Sequence, residues 1–336
     1  MKPKTARILL VAGIVLFAGL CGAYGMLGPA GPSRKVMVQI PKGSSAGRIA
    51  DILAGRGVVR SAFGFELLAR LSGKSPRLRS GAYELNPAHG PMAALGKMVR
   101  GEAVARWVTF PEGFTARQIG ERLEAARIGK ADRFILLARK AGRSFSTAFP
   151  HPGDDVEGYL FPDTYLVPVG ASEQTVIQLM LDSFGRKVAD PLAGDLAESG
   201  MALRECVILA SMIEREAKLP RDRALISAVL RSRLARDMPL ECDATVLYAL
   251  GRHKNRVLYR DLTVDSPYNT YLHPGLPPGP IANPGLASLK AALNPADVDY
   301  LYYVAMPDGS HIFSRTLAEH ERATQTARSK RANKTP

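Results

Sequence analysis

Val38-Gln39-Ile40-Pro41-Lys42-Gly43 leads into Ile49-Ala50-Asp51-Ile52-Leu53. Seventy residues later Val108-Thr109-Phe110-Pro111-Glu112-Gly113 leads into Ile119-Gly120-Glu121-Arg122-Leu123. Both copies read as a short strand, a Pro-x-Gly turn and an amphipathic helix. Ser45 and Thr115 stand at N-cap positions. Ile49/Leu53 and Ile119/Leu123 are i, i+4 pairs that give each helix an apolar stripe. Between the copies the pattern predicts a helix around Phe63–Leu71, a strand at Gly81–Leu85, a helix around Met92–Val99 and a strand at Val104–Phe110. The fold class is therefore α+β. Strand-turn-helix repeats serve carbohydrate-binding modules and plain scaffolds alike. In the second half helices are predicted at Thr175–Lys187, Met201–Ala217 and Asp222–Arg236. A Pro/Gly loop over Ser266–Gly285, a short helix at Leu286–Leu293 and a hairpin of Tyr300–Val304 with His311–Ser314 follow.

A chain of 336 residues fits about two domains, and 46% hydrophobic with 23% charged residues is ordinary globular composition. The net charge of +14 points to an anionic partner. Ile8–Leu27 carries no charged residue and is long enough for a bilayer-spanning helix, with Lys2, Lys4 and Arg7 before it. The expectation is a single-pass anchor with a cytoplasmic N-terminus and the bulk on the far side. A cleaved signal peptide is the competing reading, with Ala23-Tyr24-Gly25 as its cleavage region. Export weakens a nucleic-acid reading of the charge and leaves anionic lipid or an anionic wall polymer. The expected boundaries are a cytoplasmic tail at 1–7, the anchor at 8–27, a linker at 28–35, a small α/β module at 36–105, a larger α+β domain at 106–326 and a solvated basic tail at 327–336. Cys206 and Cys242 could pair after export or stay as separate buried thiols. No ligand spacing supports a metal site.

The chemistry centres on Leu203–Ala217 (LRECVILASMIEREA). On a helical wheel Leu203, Cys206, Val207, Ala210, Ile213 and Ala217 share one face, and Glu214 projects into it between Val207 and Ala210. Glu216 falls on the flank, where it can be solvated. A carboxyl among apolar neighbours is held protonated by desolvation, as a general acid must be. A structural Glu in a core ion pair is the plainer alternative. Further polar and aromatic clusters are Glu157-Gly158-Tyr159-Leu160-Phe161-Pro162-Asp163-Thr164-Tyr165, Asp243-Ala244-Thr245 and Ser266-Pro267-Tyr268-Asn269-Thr270-Tyr271. Tyr faces beside amides, hydroxyls and carboxylates suit sugar rings.

With these motifs in order, the exported part resembles the YceG-like (MltG) family of endolytic murein transglycosylases. The residues that carry the resemblance are Glu157–Tyr165, Leu209-Ala-Ser-Met-Ile-Glu-Arg-Glu216, Asp243-Ala-Thr245, Tyr268–Tyr271 with Gly275-Leu-Pro-Pro-Gly279, and Leu301–Val304 with His311–Ser314. Arg215 stands where the family usually has Lys, and Ala217 where Thr is common. The resemblance implies a LysM-like module before the catalytic domain and cleavage within peptidoglycan strands at the bacterial inner membrane, on its periplasmic side. It also implies glycan strands as partner, peptidoglycan synthases as candidate partners, and no cofactor. Glu214 is the implied catalytic residue; Glu157, Tyr159, Asp163, Thr164, Tyr165, Glu216, Asp243, Thr245, Tyr268, Asn269 and Tyr271 are the candidate glycan contacts. In the implied reaction Glu214 protonates the glycosidic oxygen and then takes the proton of the muramoyl C6 hydroxyl, which attacks its own C1. A lysozyme-like hydrolase and a non-catalytic wall-binding or synthase-scaffolding protein are the alternatives. A pyridoxal-phosphate lyase has no recognisable Schiff-base Lys.

Overall fold

A computed structural model of the chain describes residues 22, 24–251 and 257–332. Residues 8–21 and 23 of the expected span at 8–27 lie outside them, and among the described residues no helix is long and apolar enough to cross a membrane. The chain divides into two compact units. One takes residues up to Val108 with Thr164–Gly170, the other Thr109–Asp163 with Ala171 onward.

In the first unit the order is β1 (Val36–Ile40), α1 (Ala46–Gly55), α2 (Ala62–Leu71), β2 (Gly81–Leu85), α3 (Gly90–Arg100), β3 (Ala105–Thr109) and β4 (Thr164–Pro168). The strands form one sheet in sequence order. β1 runs antiparallel to β2, with Val38 opposite Tyr83 and Ile40 opposite Gly81. Strand alternation sends Val38 and Ile40 inward and leaves Met37 exposed. Ile49 and Leu53 of α1, Phe65 of α2, and Leu95 and Met98 of α3 close the core. Ser45 caps α1 as expected, accepting from the Arg48 N–H. β4 was absent from the sequence expectations. A five-residue run ending in Pro carries little periodicity, and it joins the sheet because β3 offers it a free edge, with Val169 N donating to Val104 O at 2.9 Å.

The second unit is mostly helical: α4 (Ala116–Ala125), α5 (Ala131–Lys140), α6 (Glu173–Phe184), α7 (Ala193–Ser199), α8 (Leu203–Glu216), α9 (Arg223–Leu234), α10 (Asp243–Ala249) and α11 (Leu286–Leu293). An antiparallel hairpin, β5 (Tyr302–Ala305) with β6 (His311–Ser314), precedes α12 (Leu317–Ala332). Thr115 and Gln118 form a full capping box at the start of α4. The helical-wheel expectation of one apolar face on α8 is corrected. Every residue from Cys206 to Ile213 is buried, because α9, α10 and α11 all pack against this helix. Of the expected solvated tail at 327–336, Arg328, Lys330 and Arg331 are exposed, but the segment is not separate from the fold. Residues 327–332 finish α12, which packs on the hairpin with Ala323 and Ala327 buried. Ala gives a weak apolar signal but is the best helix former, so this contact was invisible in the sequence. Cys206 and Cys242 are separate buried thiols, not a disulfide.

Candidate active site

The Pro/Gly loop runs along α8 and is tied to it at three points. Arg204 Nη2 donates to Pro278 O at 2.6 Å, Ile281 N donates to Ser211 Oγ at 3.0 Å, and Gly285 N donates to Glu214 Oε2 at 3.1 Å. Ser211 lies in the quoted α8 motif, yet nothing in the sequence marked its hydroxyl as a loop anchor. Gly285 is also the N-cap of α11. Glu214 therefore sits where the end of α8 meets the start of α11. Its Oε2 also accepts from Ser288 Oγ at 2.7 Å, and its Oε1 faces Arg223 Nη2 at 3.5 Å. Arg223 Nε in turn donates to Ser288 Oγ at 3.0 Å. The Glu214 side chain is 7% exposed, and its polar partners replace the apolar setting read from the wheel.

A second network holds the loop down. Asn283, fully buried, meets all its hydrogen-bonding capacity. Its Oδ1 accepts from Gly158 N and Leu160 N, both at 2.9 Å. Its Nδ2 donates to Phe114 O at 2.9 Å and to Glu157 Oε1 at 2.8 Å. Glu157 also accepts from Ala116 N at 2.8 Å and lies 3.6 Å from Arg139. Gly158 has φ 89, and a Cβ there would lie 2.5 Å from Pro280 and 2.8 Å from Val207. Only glycine allows the loop and α8 to approach so closely.

Burial pushes the Glu157 carboxyl up to about 8, against the Arg139 charge and the hydrogen bonds from Ala116 and Asn283. Between the ordinary value of 4.5 and about 8 the folded state then holds a proton that the unfolded state has released. Stability should fall as pH rises through that window, by at most about 1.4 kcal/mol per pH unit, and level off above it. Glu157→Gln should flatten this part of a urea-midpoint profile. An unchanged slope would mean that Glu157 is not the group responsible.

The remaining candidates separate by environment. Tyr159 is corrected from a glycan contact to a core residue: it is 1% exposed and packs against Phe149 and Phe184, with centroids at 5.9 and 5.1 Å. Thr245 is corrected likewise. It is fully buried, donating to Cys242 O at 2.7 Å and sharing a hydrogen bond with Thr270 Oγ1 at 2.9 Å. Asn269, also fully buried, braces the loop by donating to Leu262 O and Val264 O. Asp163 pairs with Lys187. Thr164 and Tyr165 belong to β4 of the first unit.

Glu216 differs from its expected solvated state. Burial pushes its carboxyl up, opposed by the Cys242 thiol and the Ala244 N–H, which donate to its Oε1 at 3.0 and 3.2 Å. Asp243 accepts from Tyr271 Oη at 2.8 Å, and Tyr268 packs on Tyr248 with centroids at 4.9 Å.

The neighbours of Glu214 open onto two clefts. Arg215 lines one of about 310 Å³ with Arg117, Arg139 and Tyr248. Glu216 lines another of about 500 Å³ with Asp243, Tyr271, Tyr302 and Arg233. Glu112 was quoted in the sequence as part of a turn and missed as a site residue. Burial and the neighbouring Glu214 charge push its carboxyl up, and Arg223 opposes them.

The model of the YceG-like family matches residues 38–326. An endolytic murein transglycosylase of Bacillus subtilis is 36% identical over 307 residues, which cover 86% of this chain and 84% of that protein. One from Streptococcus pneumoniae is 28% identical, over 87% of this chain and 58% of that protein. The crystal structure of a yceG-like protein from Listeria monocytogenes superposes with a TM-score of 0.58 at 36% identity, covering 87% of this chain and 99% of that one.

Proposed function

The chain belongs to the YceG-like family, and from that premise we propose that it is an endolytic lytic transglycosylase of peptidoglycan, with Glu214 as the carboxyl of its proton transfers. The observation that carries this reading is the position of Glu214 at the meeting of α8, the start of α11 and Arg223. Its place in the Ala210-Ser-Met-Ile-Glu214 segment supports the same residue. The bond cleaved is between MurNAc C1 and the GlcNAc oxygen within a strand. The leaving oxygen gains a proton, the C6 hydroxyl oxygen bonds to C1, and the hydroxyl proton passes to a base. No water is consumed. Intramolecular attack benefits from a high effective concentration and needs no second carboxylate to activate water.

The charge-free stretch 8–27 and its basic flank support an inner-membrane anchor with the two units in the periplasm. The first unit, with its own core, supports a LysM-like glycan-holding role, and a membrane-tethered endolytic cut suits termination of growing strands.

Digestion of purified sacculi followed by borohydride reduction tests the activity. Anhydro ends resist reduction, so fragments should appear in unreduced, water-depleted form. Reducible ends would indicate a lysozyme-like hydrolase, and binding without new ends a scaffold.

A further inference from the structure

The reaction above needs an acid for the departing GlcNAc oxygen and a base for the C6 hydroxyl. Glu214 is placed for the second task. Its Oε2 already accepts from Ser288 Oγ and Gly285 N, its Oε1 faces Arg223, and the side chain is 7% exposed. None of those partners takes a proton from it.

Glu112 is placed differently. It stands on the Pro111-Glu112-Gly113 turn, where Gly113 takes φ 76, a left-handed conformation suited to glycine. Gly113 N donates to Asn283 O at 2.9 Å, and Phe114 O accepts from Asn283 N at 2.9 Å, so the turn is pinned to the loop that carries Gly285. This brings the Glu112 carboxyl onto Gly285, where any Cβ would collide with it. A single glycine therefore separates two carboxyls: its N–H serves Glu214 and its bare Cα makes room for Glu112. Unlike Glu214, Glu112 is exposed as a residue, with its carboxyl end alone tucked against Gly285, and it can meet a strand. Its raised carboxyl beside an ion-paired one is the division of environments that separates acid from base in glycosidases.

We propose that Glu112 is a second catalytic residue, the acid that protonates the leaving GlcNAc oxygen, and that Glu214 is the base for the C6 hydroxyl. The inference rests on the lytic transglycosylase reading and divides its proton transfers between two groups. The Glu112 proton goes to the GlcNAc oxygen as its bond to C1 breaks. The C6 oxygen bonds to C1, and its proton goes to Glu214. Return of that proton from Glu214 to Glu112 past Gly285 restores the pair, and no co-reactant is needed.

The test compares full-length wild type, Glu112→Gln and Glu214→Gln on sacculi and on a GlcNAc-MurNAc oligosaccharide with a 4-nitrophenyl group at the MurNAc C1. Nitrophenolate leaves without a proton. Glu112→Gln should lose at least about 100-fold on sacculi but stay within about tenfold of wild type on the aryl substrate. Glu214→Gln should lose on both. A wild-type rate for Glu112→Gln on sacculi overturns the inference. So does an equal loss on both substrates, which would mark a merely positioning role. A wild-type rate for Glu214→Gln instead overturns the parent reading.

The pH profile on sacculi is a second readout. The groups facing Glu112 are Glu214 of α8 and Arg223 of α9, with Arg215 beside the turn. The high-pH fall in kcat/KM, which reports an acid that must stay protonated, should flatten in Glu112→Gln. Its persistence there overturns the inference independently of the aryl substrate.

Discussion

Glu214→Gln is expected to lower the release of anhydro-ended fragments by roughly 10²–10⁴-fold, the usual contribution of one acid–base group. The fold should survive. Gln has nearly the same volume, and its carbonyl can still accept from Ser288 Oγ and Gly285 N, the two donors on Oε2. Arg223 loses its ion pair but keeps its bond to Ser288 Oγ at 3.0 Å. The stability cost should therefore stay near about 1–3 kcal/mol, the price of one weakened buried partner. Glu216→Gln is the control on the same helix. Its amide carbonyl can accept from the Cys242 thiol and the Ala244 N–H as the carboxylate does, so activity should fall far less. Rates and thermal melts of both purified variants check this. Loss of activity in Glu216→Gln with activity kept in Glu214→Gln would mean that the wrong carboxyl has been chosen.

Asn283→Ala should destabilise the second unit by about 3–5 kcal/mol, among the largest effects of a single substitution. The side chain is fully buried and makes four hydrogen bonds. Its removal strands the N–H groups of Gly158 and Leu160, and takes one donor each from Phe114 O and Glu157 Oε1, which keep the backbone N–H groups of residue 283 and Ala116. Each stranded group costs about 1–3 kcal/mol, less whatever a trapped water recovers. The backbone of the same residue holds the Pro111–Gly113 turn, so a shift of the loop once its side chain is gone should lower activity even where the protein remains folded. Asn283→Asp would keep the acceptor for Gly158 and Leu160 but set a second carboxylate against Glu157, making the loss steeper at high pH. Denaturant melts at two pH values measure both effects. A loss under about 1 kcal/mol for Asn283→Ala would show that the loop is held elsewhere.

Local signals made much of the fold readable. The caps at Ser45 and Thr115, the strand Gly81–Leu85 and the helix Leu286–Leu293 follow from spacing and turn chemistry. What was not readable depends on partners distant in sequence. β4 is a strand because β3 lies open beside it, and α12 packs through alanines. At the site, the wheel brought Glu214 to notice from its own helix alone. It could not foresee Arg223, Ser288 or Gly285, which arrive from other elements. Nor could it foresee that α8 is buried all round between Cys206 and Ile213, or that Glu216 is half-buried against Cys242 and Ala244. Tyr159, Thr245 and Asn269 looked like glycan contacts because aromatic and polar side chains clustered in the sequence. The same groups can equally serve each other inside a fold, and here they do. Glu112 was hidden because a Pro-Glu-Gly turn looks like punctuation. Its role emerges only when Gly285 is beside it.

The most direct test of the central claim is digestion of sacculi in heavy-oxygen water, with mass spectrometry of the new chain ends. An intramolecular attack by the C6 hydroxyl should give anhydro ends carrying no solvent oxygen, with their formation lost in Glu214→Gln. Ends that carry one heavy oxygen at MurNAc C1 would show that water is the nucleophile and contradict the account.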